Sequence, residues 1–135
     1  MSKLELYYPV SPWTVTQKFG ENLNASYALV GLKGHTGIDV VVPFGTPIFP
    51  ATTGGILRSI NFTAPIRSYR AVYQIVDADD FSYELSYGHC NERLSGNGEQ
   101  GVPIATVGNS GDVFANDVWV EPSTRILPPY PGTHL

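Results

Sequence analysis

The residues best suited to chemistry in this chain are its histidines and one aspartate. There are three histidines in all, and each lies within two residues of a glycine, in the segments GHTGID (34–39), YGH (87–89) and GTHL (132–135). Histidine is the commonest metal ligand and the usual proton carrier near neutral pH. Asp39, four positions after His35, adds a carboxylate oxygen. The pattern predicts a metal-dependent enzyme.

The spacing of His35 and Asp39 predicts a bend between them. On a helix, positions i and i+4 share a face, but Gly37 and its β-branched neighbours oppose a helix. On a straight strand the two side chains would stand roughly 13 Å apart, at about 3.3 Å per residue. A bend at Thr36 and Gly37, leading into a strand from Ile38, brings them together, because glycine tolerates such a backbone. The alternative is a surface histidine paired with a nearby carboxylate.

Alternation along residues 81–89 predicts that His89 projects from a strand into a groove, where a rigid element fixes its geometry. The alternative is a half-buried histidine on an aromatic face. Cys90 falls on the opposite face and is predicted to be a small buried residue rather than a nucleophile or ligand. His134, taken alone, is a terminal residue after a proline-rich loop. The face predicted to carry His89 also carries Phe81, Tyr83, Leu85 and Tyr87.

The elements that must position these residues predict an all-β fold of antiparallel sheet or sandwich type, with short strands and long loops. The 135 residues include 14 glycines and 11 prolines, so turns are dense and long helices are disfavoured. An acidic tip at 77–80, expected to be a solvated turn, predicts a hairpin. Residues 112–131 contain four prolines and predict a long ordered loop. Strand-like runs lie at 15–20, 38–42, 56–60, 71–76 and 81–87, while 47–51 is a proline-limited edge or turn segment and turns flank 102–107.

The composition of the chain limits the kinds of molecule that it is expected to bind. Hydrophobic residues make up 42% and charged residues 15% of the chain, with a net charge of −4. This balance argues against nucleic acid, because phosphate contacts call for clustered lysine and arginine. No segment is long and apolar enough to span a bilayer, and the N-terminus lacks the apolar core of a signal peptide. We expect one globular domain, and its oligomeric state does not follow from the sequence.

Together these segments resemble the lysostaphin-type zinc metallopeptidases, a family of peptidoglycan endopeptidases. The family signatures are H-x-x-x-D, a Y-x-H segment and a late G-x-H-x-H strand. The leading TQKFGE at 16–21 also resembles the segment that opens such domains. The resemblance covers nearly the whole chain. In the family's order, the chain carries GHTGID (34–39), GTPIFPA (45–51), YGH (87–89), VGNSG (107–111) and GTHL (132–135).

The resemblance implies a Zn2+ site, the fold of the family (a duplicated hybrid motif) and roles for five residues. His35 and Asp39 would be zinc ligands. His89 and His134 would be the two catalytic histidines beside the attacking water, one as general base and the other as a support for the oxyanion. Tyr27, in the loop before the first motif, would donate a hydrogen bond to the developing oxyanion.

The chain departs from the family pattern at its last residue. The third zinc ligand of the family is the second histidine of H-x-H, which would follow Leu135 directly. A catalytic zinc normally has three protein ligands and a water, whereas this sequence supplies two. We therefore expect a single domain, residues 1–135, that ends inside the last motif and lacks the strand following it. For this chain as it stands, we expect weak zinc binding and little hydrolysis.

The function expected from the resemblance is cleavage of peptide bonds in bacterial peptidoglycan. Without a signal peptide, the domain would reach the cell wall, outside the cell or in the periplasm, by another route such as delivery by a phage. The alternatives are an inert domain of the same fold that binds the wall or serves as a structural part, and an unrelated metal-free β-sandwich. Residues expected to wall a groove for the peptide substrate are Tyr7, Tyr8, Trp13 and the segment 119–130.

Overall fold

The computed structural model describes residues 3–17, 37–115 and 118–135, and its regular structure is almost entirely β. Every strand pair in these ranges is antiparallel. The predicted all-β class with short strands is therefore confirmed. The elements are β1 (Val15–Gln17), β2 (Asp39–Val40), β3 (Pro47–Ile48), β4 (Ile56–Ile60), β5 (Ala71–Ala78), β6 (Phe81–Tyr87), β7 (Cys90–Arg93), β8 (Ala105–Val107), β9 (Phe114–Ala115), β10 (Val118–Trp119) and the short helix α1 (Pro122–Arg125).

Two three-stranded sheets share one core. One sheet has the order β4-β5-β6 and the other has the order β3-β8-β7, while β1 pairs with β2 and β9 with β10. Val72 and Tyr87 of the first sheet pack in one buried cluster with Ile48, Ala105 and Val107 of the second. Burial of these apolar side chains is the main force that holds the sheets together.

The predicted hairpin is present, with a tighter turn than expected. β5 and β6 pair as far as Ala78 and Phe81, which leaves only Asp79 and Asp80 in the loop. Both have positive φ, 50° and 64°, as a type I′ hairpin turn requires. The acidic tip is not purely solvated, because Asp79 Oδ2 accepts a hydrogen bond from Leu4 N at 3.0 Å.

A buried polar network fixes the end of β6. Tyr87 is 4% exposed; its hydroxyl donates to Gln74 Oε1 at 2.6 Å and accepts from Ala51 N at 2.9 Å. Gln74, fully buried in β5, donates in turn to the carbonyl oxygens of Thr52 and Gly54. Because a buried polar group is costly unless it is paired, this network determines where the chain leaves β6.

The last two residues connect β2 to the end of β8. Val40 N donates to Leu135 O, and Leu135 N donates to Val40 O, each at 3.0 Å. His134 N donates to Gly108 O at 3.1 Å, directly after β8. His134 and Leu135 therefore lie in a strand-like position between β2 and the chain that continues β8.

Residues 112–131 contain regular structure that the sequence did not predict. β9 and β10 form a two-stranded hairpin, and α1 makes a single helical turn that begins at Pro122. The prediction of a continuous loop is wrong at these elements. Its basis was the proline content, but proline is compatible with the first turn of a helix, where its missing N–H would have no partner.

Arg125 holds this segment in place from inside the protein. Its side chain is fully buried, and its guanidinium donates hydrogen bonds to the carbonyl oxygens of Val120, Asn109 and Gly111. It also lies 5.6 Å from the centre of the Trp119 ring. Guanidinium offers five donors in a fixed fork, so one side chain satisfies carbonyls from both sides of residues 112–119.

Arg125→Met is expected to lower the free energy of unfolding by about 3 kcal/mol, because each buried carbonyl left unpaired costs roughly 1–3 kcal/mol. Urea unfolding followed by far-UV circular dichroism measures the change. The matched control is Arg58→Met, since Arg58 is exposed on β4 and surface substitutions usually stay within about 0.5 kcal/mol. Equal effects of the two substitutions would contradict the role assigned to Arg125.

Other predicted strands differ from the structure mainly at their ends. The run 56–60 coincides with β4. Pro43 follows the run 38–42, and Pro50 and Pro103 lie within 47–51 and 102–107 but outside β3 and β8, because proline cannot donate to a ladder. Positions 18–20 lie outside the described residues. The observed strands within the remaining runs are Val15–Gln17, Asp39–Val40, Pro47–Ile48 and Ala105–Val107.

Candidate functional site

Three of the five predicted site residues lie together in the structure. Asp39, His89 and His134 meet where β2, the connection from β6 to β7 and the last residues of the chain converge. His35 and Tyr27 lie outside the described residues. The pairing of His35 with Asp39 and the role of Tyr27 therefore stay predictions.

Asp39 is positioned by β2. It pairs with Gln17 of β1, and the residue after it, Val40, is only 1% exposed in the core. Side chains alternate along a strand, so Asp39 turns away from that core. Its Oδ1 lies 3.6 Å from His134 Nε2, and both side chains are about one-fifth exposed, 20% for Asp39 and 17% for His134.

The hydrogen bond from His134 Nδ1 determines the tautomer of the neutral ring. His134 Nδ1 lies 2.7 Å from Gly132 O, and because a carbonyl oxygen only accepts, Nδ1 carries the proton. In the neutral ring Nε2 then has a lone pair directed toward the same space as Asp39 Oδ1. The 3.6 Å gap is longer than an ordinary N–H···O bond of about 2.7–3.2 Å. A proton on Nε2 makes this contact an ion pair, and a cation bound by Asp39 would lie close to His134.

His89 is held differently from the prediction. β6 ends at Tyr87, and the chain passes at Gly88 and His89 from the β4-β5-β6 sheet to the sheet that contains β7. His89 has a φ of 53°, a left-handed conformation that is uncommon outside glycine and that interrupts strand alternation. The prediction of a strand-mounted imidazole is therefore wrong, since the side chain projects from the connection between two sheets.

The imidazole of His89 has the same hydrogen-bonding pattern as that of His134. Its Nδ1 lies 2.6 Å from the carbonyl oxygen of Ser110, so Nδ1 carries the proton and Nε2 is the acceptor in the neutral ring. The centres of the two imidazole rings are 4.4 Å apart, with planes inclined by 46°. The site thus places two imidazoles of one tautomer beside a carboxylate, a combination suited to moving protons near neutral pH.

Tyr69 is a site residue that the sequence did not reveal. Its ring makes an edge contact with His89, with centres 4.9 Å apart and planes at 90°. Tyr69 is 36% exposed, and partial burial is the largest cause that raises its pKa to about 12, with smaller contributions from Tyr73, Cys90 and Asp39. Tyr69 lies two positions before β5, and no spacing rule links it to a histidine twenty positions later.

An open groove of about 680 Å³ lies beside the site. Two of its lining residues, Phe44 and Tyr130, stack directly on each other, with ring centres 4.2 Å apart and planes inclined by 11°. Of the residues expected to wall a substrate groove, Pro129 and Tyr130 line this one, whereas Tyr7, Tyr8, Trp13 and the rest of the segment 119–130 do not. The lining consists of the segments 41–44 and 129–133.

Cys90 is fully buried in the shared core, as predicted. Burial raises the pKa of the Cys90 thiol from 9.0 to about 12, so the thiol is protonated and unreactive near neutral pH. It therefore takes no part in the candidate site, although it directly follows His89.

The raised pKa of Cys90 predicts a loss of stability at high pH. A thiol with a higher pKa in the folded than in the unfolded chain stabilises fully below about pH 9, and this contribution falls as the pH rises toward 12. The raised pKa of Tyr69 acts in the same direction. Urea midpoints measured at pH 7, 9 and 10.5 should fall above pH 9, and Cys90→Ala should reduce that fall. An unchanged slope in the variant would contradict the assignment.

Within the described ranges, no group of three His, Cys, Asp or Glu side chains is arranged to hold a metal ion. Asp39 and His134 alone supply a facing carboxylate oxygen and imidazole nitrogen, both common zinc ligands. The same ranges contain no helix long and apolar enough to cross a membrane.

Comparisons with protein-family models, curated proteins and solved structures found no match.

Proposed function

We propose that this chain is a zinc-dependent endopeptidase domain of the lysostaphin type, acting on peptide bonds of bacterial peptidoglycan. The observation that carries the proposal is the convergence of Asp39, His89 and His134 from three distant parts of the sequence. These are residues to which the family resemblance assigns the chemistry of a zinc hydrolase.

The donor atoms near Asp39 support a divalent cation. The Asp39 carboxylate supplies negative charge at the site, 3.6 Å from His134 Nε2, and a carboxylate oxygen is a common zinc ligand. Under the proposal His35 and Asp39 hold the ion, with His134 close by. When bound, zinc acts as a Lewis acid that polarises the scissile carbonyl and lowers the pKa of water.

The hydrogen bonds of the two histidines direct proton transfer to one atom of each ring. Nδ1–H of His89 is engaged by Ser110 O, and Nδ1–H of His134 is engaged by Gly132 O. Protons therefore enter and leave at Nε2 in both rings. One imidazole, neutral, accepts the proton of the attacking water at Nε2, while the other, protonated on both nitrogens, donates from Nε2–H to the developing oxyanion.

The neighbouring groove supports an extended peptide as the substrate. Its stacked Phe44 and Tyr130 rings form part of an apolar lining, and Gly132 and Thr133, which precede His134 in the chain, also line it. Apolar walls with a few polar groups at one end are typical of ligand sites. Peptidoglycan as the source of that peptide rests on the family resemblance.

The proposal is tested by zinc titration in a calorimeter together with the clearing of a cell-wall suspension. Because the resemblance places a further ligand directly after Leu135, each measurement uses the 135-residue chain, the chain with one histidine appended, and a control with one glutamine appended. The unextended chain and the glutamine-appended control should bind zinc weakly and clear little of the wall suspension. The histidine-appended chain should bind one equivalent of zinc and clear the suspension.

Each alternative has its own signature in this experiment. If the 135-residue chain binds one equivalent of zinc tightly and clears the wall suspension, the expected need for a further ligand is contradicted. Sedimentation of the chain with walls, without clearing by any of the three forms, would favour an inert wall-binding domain. The absence of zinc binding, clearing and sedimentation would leave only an unrelated β-sandwich.

A further inference from the structure

The backbone of Arg70, directly after Tyr69, forms hydrogen bonds with both segments that hold His89. Arg70 N donates to Ser110 Oγ at 3.1 Å, and Ser110 is the residue whose carbonyl accepts from His89. Arg70 O accepts from Cys90 N at 2.9 Å, directly after His89. The residues preceding β5 therefore stand in a fixed relation to both ends of the His89–Ser110 hydrogen bond.

The side chain of Tyr69 fits between two glycines. A Cβ atom on Gly88 would lie 1.9 Å from the Tyr69 hydroxyl, and one on Gly111 would lie 3.0 Å from Tyr69 Cδ1. Gly88 precedes His89 in the chain, and Gly111 follows Ser110. The missing side chains at these positions create the space in which the tyrosine ring reaches His89.

More than one contact holds the His89 ring in its plane. The hydrogen bond from Nδ1 to Ser110 O fixes one edge of the ring, but it tolerates a range of ring angles because the terminal torsion of a histidine side chain is broad. The edge contact from Tyr69, at 90° and 4.9 Å, narrows that range. The imidazole of His134, 4.4 Å away, then faces one orientation of His89.

We propose that Tyr69 is a positioning residue that sets the plane of the His89 imidazole relative to His134. This inference rests on the proposed function for its catalytic meaning, since the ring orientation determines where His89 Nε2 exchanges protons. The tyrosine acts through its ring, and its hydroxyl fills the space above Gly88.

The test compares Tyr69→Phe, which keeps the ring, with Tyr69→Leu, which removes it. In the full chain labelled with ¹⁵N-histidine, NMR reports the tautomer of His89 and the cross-relaxation between the ring protons of His89 and His134. The unchanged chain and Tyr69→Phe should show one tautomer, with the proton on Nδ1, and the cross-peak. Tyr69→Leu should show mixed tautomers and lose the cross-peak, while the tautomer of His134 stays unchanged.

Kinetics in the histidine-appended chain provide the second readout. Tyr69→Leu should lower kcat at least about tenfold, because small misplacements of a reacting group can cost about 100-fold. KM and zinc affinity should stay within about twofold, and Tyr69→Phe should retain kcat within about threefold. A merely structural role would not separate kcat from KM and zinc affinity in this way.

Retention of both NMR signals in folded Tyr69→Leu overturns the inference, even if zinc binding and hydrolysis are found. If Tyr69→Leu does not fold, Gly88→Ala takes its place, because the added methyl group displaces the tyrosine ring. Retention of both NMR signals in Gly88→Ala would likewise overturn the inference about Tyr69. If Tyr69→Leu loses both NMR signals and the chain shows no hydrolysis with or without the appended histidine, the positioning role of Tyr69 is supported. Only the proposed function is then contradicted.

Discussion

Asp39→Asn is expected to weaken zinc binding by more than about 100-fold in the histidine-appended chain. The amide keeps the size of the side chain but removes the negative charge that faces His134 Nε2 across 3.6 Å. Loss of an outer partner of a metal site alone typically costs about 10–100-fold in affinity, and loss of a direct ligand costs more. Competition with a chromophoric chelator measures the affinity, and hydrolysis should disappear with the metal.

The matched control is Asp77→Asn, on the exposed side of β5. It changes the net charge equally and should leave zinc affinity within about twofold, since surface charges are screened by solvent and salt. His35→Ala is expected to behave as Asp39→Asn does. Full zinc occupancy in Asp39→Asn would remove the carboxylate from the metal site and with it the central argument for a zinc enzyme.

His89→Gln is expected to keep zinc affinity within about threefold while lowering kcat by roughly 10²–10⁴, the usual contribution of a general acid or base. The glutamine amide does not accept and release protons near neutral pH, whereas the imidazole does. Steady-state hydrolysis of a soluble wall peptide by the histidine-appended chain measures kcat, and calorimetry measures zinc binding.

A second substitution separates proton transfer from the loss of a hydrogen bond. His89→Asn places an amide N–H where Nδ1–H now donates to Ser110 O, so it can preserve that contact without an ionisable ring. Equal loss of kcat in both variants is the expected result. Activity retained in His89→Asn would show that His89 is needed only for its contact with Ser110.

Local patterns were sufficient to predict part of this fold. The hairpin of β5 and β6 follows from two runs of strand-forming residues around an acidic turn, and the strands pair within a few residues of the predicted ends. From Tyr83 to Tyr87 the predicted face is also the more buried one, although Phe81 is 66% exposed at the hairpin tip. Such features depend on neighbours in the sequence, so the sequence alone carries them.

Features that depend on distant contacts were not predicted. The left-handed backbone at His89 arises where the chain changes sheets, and strand alternation gives no sign of that change. The contact of Tyr69 with His89 depends on Gly88 and Gly111, which lie in separate segments. The buried Arg125 is similar, because its carbonyl partners come from both sides of residues 112–119. In each case the deciding interaction joins residues that no spacing rule relates.

The burial of Cys90 gives the molecule an internal reporter of its own opening. The thiol is fully buried at the start of β7 and directly follows His89, so a disulfide reagent reaches it only when this part of the sheet separates. With rapid reclosing, the modification rate measures the free energy of that local opening. A ligand that binds at the imidazoles should slow the modification in proportion to its occupancy, which would allow binding to be followed without any turnover.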